Sequence, residues 1–160
     1  MQIIKNLETL TEWTGREVAC SDWMLLDQER IQHFANVTGD QQWIHTDEVR
    51  AKKESAFRTT IAHGYLTLSL IPTLMQSCLH IDGVGMAINY GLDRVRFPAP
   101  VLSGQRVRAR LKLDKIDAVA GGVQVHWAAT IEIEHNEKPA CIAHMLARYY
   151  PESQQTSLQV

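Results

Sequence analysis

Two alternating stretches flank Gly121-Gly122, and one register satisfies both of their faces. In residues 106–114, Val107, Ala109, Leu111 and Leu113 alternate with charged residues. In residues 123–134, Val125, Trp127, Ala129, Ile131 and Ile133 alternate with more polar ones. Folding them as an antiparallel hairpin sets Arg106 opposite Glu134 and Arg108 opposite Glu132. The same register sets Val107 against Ile133, Ala109 against Ile131 and Leu113 against Trp127. A slip of one residue would move every apolar side chain to the wrong face, so the pairing is strongly specified. A third strand is expected over residues 140–150, after a turn at residues 136–139. Earlier strands are expected over residues 17–25 and 86–97, the latter interrupted at Gly91.

The other constraint is the apolar run at residues 62–80. Leu66, Leu68, Leu70, Ile71, Leu74, Met75 and Leu79 surround most of a helix circumference, which predicts a buried helix. Pro72 inside it removes a hydrogen bond and should kink it. A buried helix followed by several antiparallel strands predicts an α+β architecture, with a curved sheet wrapped around the helix.

A chain of 160 residues is expected to form one domain, residues 1–150, with a disordered tail over 151–160. Its net charge of −2 gives no reason to expect a nucleic-acid partner. The apolar run is interrupted by too many polar residues to span a membrane. The N-terminus shows no signal-peptide core. Cys20, Cys78 and Cys141 are widely spaced and form no Cys-x-x-Cys pair. They read as reduced thiols, consistent with the cytoplasm. His33, His80, His126, His135 and His144 show no metal-binding spacing.

Residues 27–38 form the first predicted helix. Asp27 is its N-cap and Gly39 its C′ residue, and Ile31, Phe34 and Ala35 form its buried stripe. A short helix is expected over residues 47–53, with acids at its start and lysines at its end. Asp40 and His45 therefore lie in one tight connection between helices. An acid and an imidazole so placed can hold one water. Each also has a plain structural reading, Asp40 as a turn residue after Gly39 and His45 as a partial cap.

Three segments together resemble a family. Phe34-x-x-Val-Thr-Gly-Asp40-x-x-x-Ile-His45-x5-Ala51 is similar to the hydratase-2 motif of MaoC-like (R)-specific enoyl-CoA hydratases, in their nodulation protein N-like branch. Ile61-Ala-His-Gly64 resembles the opening of that family's central "hot dog" helix. Asn89-Tyr-Gly-Leu-x-x-Val-Arg-Phe-Pro-x-Pro-Val101 resembles the strand and turn that follow. The sequence departs from the pattern in three places. Gln42-Trp43 stands where many members have Asn-Pro, and Arg58-Thr59 where several have glycines. Pro72 stands where some carry a helix serine, with Ser69 and Asn89 as candidate substitutes.

The resemblance implies a hot dog fold, commonly a homodimer. It implies hydration of trans-2-enoyl-CoA to (R)-3-hydroxyacyl-CoA, a coenzyme A thioester substrate, and no cofactor or metal. Asp40 and His45 fall on the family's catalytic pair, and Gly64 on the glycine whose N–H faces the thioester carbonyl. His63 and Asn89 complete the expected substrate-binding set, His63 chiefly through a structural hydrogen bond. Gly64 also reads as a close-packing residue. The stripe Arg106, Arg108, Arg110 and Lys112 reads as a solvated, ion-paired face rather than a phosphate site. Two other functions fit the same scaffold: an acyl-CoA thioesterase, and a non-catalytic module binding acyl-CoA or acyl-carrier protein.

Overall fold

The structure, a computed structural model, describes residues 1–152. In chain order it runs β1 (Gln2–Ile4), α1 (Leu7–Leu10), a 3-10 turn (Thr11–Trp13), β2 (Glu17–Cys20) and β3 (Met24–Leu26). Next come α2 (Gln28–Thr38), α3 (Trp43–Thr46), α4 (Glu48–Glu54), α5 (Gly64–Ser69) and α6 (Ile71–Cys78). The chain ends in β4 (Leu79–Ile81), β5 (Val84–Arg96), β6 (Gln105–Val119), β7 (Gly122–Ile133) and β8 (Cys141–Pro151). The main sheet is antiparallel in the order β2-β6-β7-β8-β5, with β3 also pairing β6. One face packs on α5 and α6, where Ile71 and Leu74 join Leu111, Leu113, Trp127 and Ile131 in the core. This is the hot dog arrangement.

The central hairpin keeps the expected register. Val107 pairs with Ile133, Arg108 with Glu132, Ala109 with Ile131 and Leu113 with Trp127. Arg106 is ion-paired with Glu134, and Arg108 Nε lies 2.7 Å from Glu132. Arg110 joins the same face, 2.9 Å from both Glu17 and Glu132. A bulge between Leu113 and Lys115 shifts the register beyond that point.

Three elements differ from expectation. The first strand is divided into β2 and β3 because Ser21 replaces a backbone ladder group with its side chain: the Ala109 N–H donates to Ser21 Oγ at 2.9 Å. The apolar run is two helices rather than one. Leu70 between them keeps helical angles, and the bonds Leu70 N–H to Leu66 O (3.1 Å) and Leu74 N–H to Leu70 O (3.0 Å) carry the ladder across. Pro72 thus lies in the first turn of α6, where its missing donor costs least. The helix ends at Cys78 because Leu79–Ile81 leaves to pair in parallel with β1, a small sheet that no sequence pattern signalled.

β5 is continuous, and Gly91 marks a register shift rather than a break. β8 extends to Pro151, the first residue of the expected tail, which pairs with Val84. Residues 153–160 of that tail lie outside the described residues. Among the described residues no helix is long and apolar enough to cross a membrane.

Candidate active site

Helix α2 starts at Asp27, whose carboxylate accepts from the Arg30 N–H at 2.9 Å. It ends at Gly39 in the left-handed conformation (φ 77°), with the Gly39 N–H bonded back to the Ala35 carbonyl. That conformation favours glycine and turns the chain sharply. Asp40 follows at once, with its side chain half exposed. His45 was expected just before the next helix. It sits instead inside the one-turn helix α3, and it is buried, 7% exposed. Asp47 closes α3 and caps α4, accepting from the Arg50 N–H at 2.9 Å.

Three contacts hold His45. Its Nδ1 lies 2.6 Å from the Ile61 carbonyl oxygen. That oxygen only accepts, so Nδ1 carries the hydrogen and Nε2 of the neutral ring is a bare acceptor. The Gln28 amide donates to the His45 backbone carbonyl at 2.8 Å and is itself fixed by the buried Thr60 hydroxyl. His63 stacks on the ring, centroids 3.7 Å apart and planes at 26°. Burial pushes the His45 imidazole below its ordinary value. The Ile61 bond opposes that, His63 adds to it and Asp40 opposes it, and the net direction is down. His45 is thus a neutral base near pH 7.

An Asp40 carboxylate oxygen, a His45 nitrogen and a His63 nitrogen all lie within 4.8 Å of one another. Such spacing lets a carboxylate and an imidazole grip one water between them. The same three groups meet a distance criterion for a metal site. The two rings are stacked, with their planes at 26°. His45 Nδ1 and His63 Nε2 are also each committed to a backbone carbonyl.

Gly64 opens α5, and its N–H, as the first of the helix, has no partner within the helical ladder. A Cβ added there would lie 3.0 Å from two ring carbons of Phe97. His45, Gly64, Phe97, Phe57, Ile61 and Thr67 line one cavity of about 330 Å³. The structure therefore brings Asp40, His45, His63 and Gly64 to one place. His63 is 2% exposed, stacks behind His45, is not among the residues lining the cavity, and its Nε2 lies 3.0 Å from the Asp40 carbonyl. Asn89 does not join the group. It lies on β5 opposite Ala147, in a separate groove of about 380 Å³ shared with Ser69 and Pro72. Trp43 carries the Arg50 guanidinium 4.4 Å over its ring and is not among the residues lining the cavity. The sequence reading missed Gln28, Thr60, Ile61 and Phe97. Ile61 and Phe97 stand inside the family-like segments without a role of their own there, and Gln28 and Thr60 have no local signal; all four act through contacts far apart in sequence.

The family model described as "MaoC like domain" matches residues 10–135. The chain belongs to the MaoC-like dehydratase family. It is accordingly an enzyme of the hydratase/dehydratase class. A MaoC-like relative from Mycobacterium tuberculosis, 3-hydroxyacyl-thioester dehydratase Z, is 45% identical over 93% of this chain and 99% of its own. Nodulation protein N of Rhizobium leguminosarum is 42% identical over 82% and 83% of the two chains. The solved R-hydratase PhaJ1 of Pseudomonas aeruginosa shares the fold, with a TM-score of 0.69 at 23% identity, covering 87% of this chain and 83% of that one.

Proposed function

We propose that this MaoC-like protein is an (R)-specific enoyl-CoA hydratase, adding water reversibly across trans-2-enoyl-CoA to give (R)-3-hydroxyacyl-CoA. The observation that carries the reading is the paired placement of the Asp40 carboxylate and the neutral His45 imidazole within 4.8 Å, with Nδ1 of His45 held by Ile61. His45 Nε2 and the Asp40 carboxylate hold the attacking water. As its oxygen bonds to C3 of the enoyl group, the pair takes one proton from the water and delivers one to C2. Negative charge developing on the thioester oxygen is met by the Gly64 N–H at the start of α5. The pair and one backbone N–H supply both the proton transfers and the polarisation, so the reading needs no metal or redox cofactor. The name of the M. tuberculosis relative, a 3-hydroxyacyl-thioester dehydratase, supports the substrate class.

The working unit in this reading is one hot dog domain over residues 1–150, paired as a homodimer in the cytoplasm. β5 is a 13-residue strand at the edge of the sheet, with Met86, Ile88, Tyr90 and Leu92 exposed. A long, apolar edge of this kind invites a second copy. The activity is tested with crotonyl-CoA and a longer enoyl-CoA, following enoyl absorbance and free thiol together. Loss of enoyl without thiol is expected. Release of thiol would instead identify a thioesterase, and tight binding without either change a non-catalytic acyl-CoA module.

A further inference from the structure

His63 is buried more deeply than either member of the pair, yet it is not satisfied. Its Nε2 lies 3.0 Å from the backbone carbonyl of Asp40 and 4.0 Å from the Asp40 carboxylate. A carbonyl only accepts, so Nε2 carries the hydrogen and Nδ1 is left as a bare acceptor. That Nδ1 is buried and has no partner among the described residues. One face of the ring is covered by His45, and Phe34 lies tilted with its centroid 5.1 Å away. As a packing element alone, an imidazole is a poor choice here, because a phenyl ring would fill the same space without an unpaired buried nitrogen. What the imidazole adds is a single donor, and it is aimed at the backbone of Asp40.

We infer that His63 is a positioning residue: its Nε2–H fixes the backbone of Asp40 while its ring face fixes His45, locking the two groups at the separation that holds one water. The inference rests on the hydratase reading for its consequence in catalysis, but the geometry stands without it. The neighbours of Asp40 are held from within this region, Gly39 by the Ala35 carbonyl, Gln41 by Asn36 and the Thr46 hydroxyl, and Gln42 by the His45 N–H, but Asp40 itself is held only weakly there. The Gln42 N–H reaches the Asp40 carboxylate only at 3.4 Å, and the Asp40 N–H reaches Thr38 only at 3.4 Å. The His63 bond is the shortest side-chain contact that Asp40 receives from outside its own turn. Among the described residues, the titratable groups that face His45 are Asp40, from the connection after α2, and His63, from the segment before α5. Both belong to the same three-residue unit. His63 acts on His45 in the same direction as burial, keeping the ring neutral.

Two variants separate the functions of donor and ring. Gln places an amide N–H near the position of Nε2 and removes the aromatic face. Phe keeps the face and removes the donor. With crotonyl-CoA, His63→Phe is expected to lower kcat by roughly tenfold to a hundredfold with KM shifted less than about threefold, as misplacement behind the reacting groups should. His63→Gln is expected to recover most of that kcat. Equal rates in the two variants, or wild-type rates in both, would overturn the tether. The second readout needs no substrate: an NMR titration of the His45 ring. In His63→Gln the His45 midpoint is expected to rise toward the ordinary histidine value, because the stacked ring that helps keep water from the His45 ring is gone. In His63→Phe it is expected to stay below the ordinary histidine value. An unchanged midpoint in His63→Gln would overturn the claim that His63 sets the state of His45. The Gln variant alone decides this arm should the Phe variant fail to fold. Failure of wild type to hydrate crotonyl-CoA would count against the proposed activity only, since the titration reads the His63–His45 link directly.

Discussion

At the scale of single residues, the site depends on which nitrogen of His45 is free. The Ile61 carbonyl claims Nδ1, and the ring is buried enough to stay neutral. His45→Gln and Asp40→Asn each remove one grip on the water while keeping side-chain volume. Each is expected to cut the hydration rate by roughly 10²- to 10⁴-fold, the usual worth of a positioned acid or base. Far-ultraviolet circular dichroism should stay native. A rate within a few-fold of wild type in either variant would remove that residue from the mechanism. The same burial has a consequence for stability. The folded value of His45 lies below the ordinary 6.5, so on acidification the unfolded chain takes up the proton first. The stabilisation is present above pH 6.5 and is lost as the pH falls through the folded value, at a slope of at most about 1.4 kcal/mol per pH unit from this group. Thermal melts between pH 7.5 and 5 should therefore fall less steeply in His45→Gln than in wild type. Asp40 and His45 were singled out because they lie five residues apart in a segment that resembles the family's motif, although His45 proved to lie inside α3 rather than in the connection before the next helix. Their supports were not singled out. Ile61 and Gln28 are 16 and 17 residues away from His45, and only the fold brings them to it.

At the scale of elements, alternation and capping were read directly. The β6–β7 register followed from matching apolar and ionic faces at once, and α2 from Asp27 and Gly39. What failed were the interruptions. Ser21 divides a strand through one side-chain bond, and Leu79 leaves a helix for a parallel partner, β1. Both depend on tertiary partners rather than on periodicity. A kink was expected at Pro72; the run is instead divided at Leu70, two residues earlier, for a physical reason. Proline is better accommodated in the first turn of a new helix than inside an old one. The start of α5 is the element junction that matters most for the site, because Gly64 there meets Phe97, the residue directly after β5. Gly64→Ala would place a methyl 3.0 Å from the Phe97 ring and push it within the cavity that His45 lines. The backbone at Gly64 is not left-handed, so an alanine is tolerated by the helix itself. Activity is expected to fall by roughly tenfold or more, the scale set by small misplacements near reacting groups, with the melting temperature little changed. Wild-type kcat/KM in Gly64→Ala would show that the approach to Phe97 has no part in substrate binding.

At the scale of the whole molecule, the sheet is finished on one side and unfinished on the other. β2 and β3 together cover the outer edge of β6, while β5 pairs only with β8. Most of β5 is exposed on both faces, although it carries Met86, Ile88, Tyr90 and Leu92. Its interior Gly91 and three register shifts bend the strand, but they leave it long. A soluble chain seldom leaves so extended an apolar edge to water. Pairing with a second β5 would continue the sheet and cover these side chains. The groove holding Asn89, Ser69 and Pro72 lies beside that edge, so a second copy would also change how it opens. Sedimentation equilibrium of the wild type should accordingly return twice the 18.1 kDa of one chain. Ile88→Asp sets a charge on the edge strand without touching Asp40, His45 or Gly64, and it is expected to shift the mass to that of one chain. If the groove beside β5 takes part in binding the acyl chain, the same variant should lose activity toward the longer enoyl-CoA more than toward crotonyl-CoA. A wild type that sediments as a single chain would mean that β5 is tolerated as a bare edge, and would end the homodimer reading at its source.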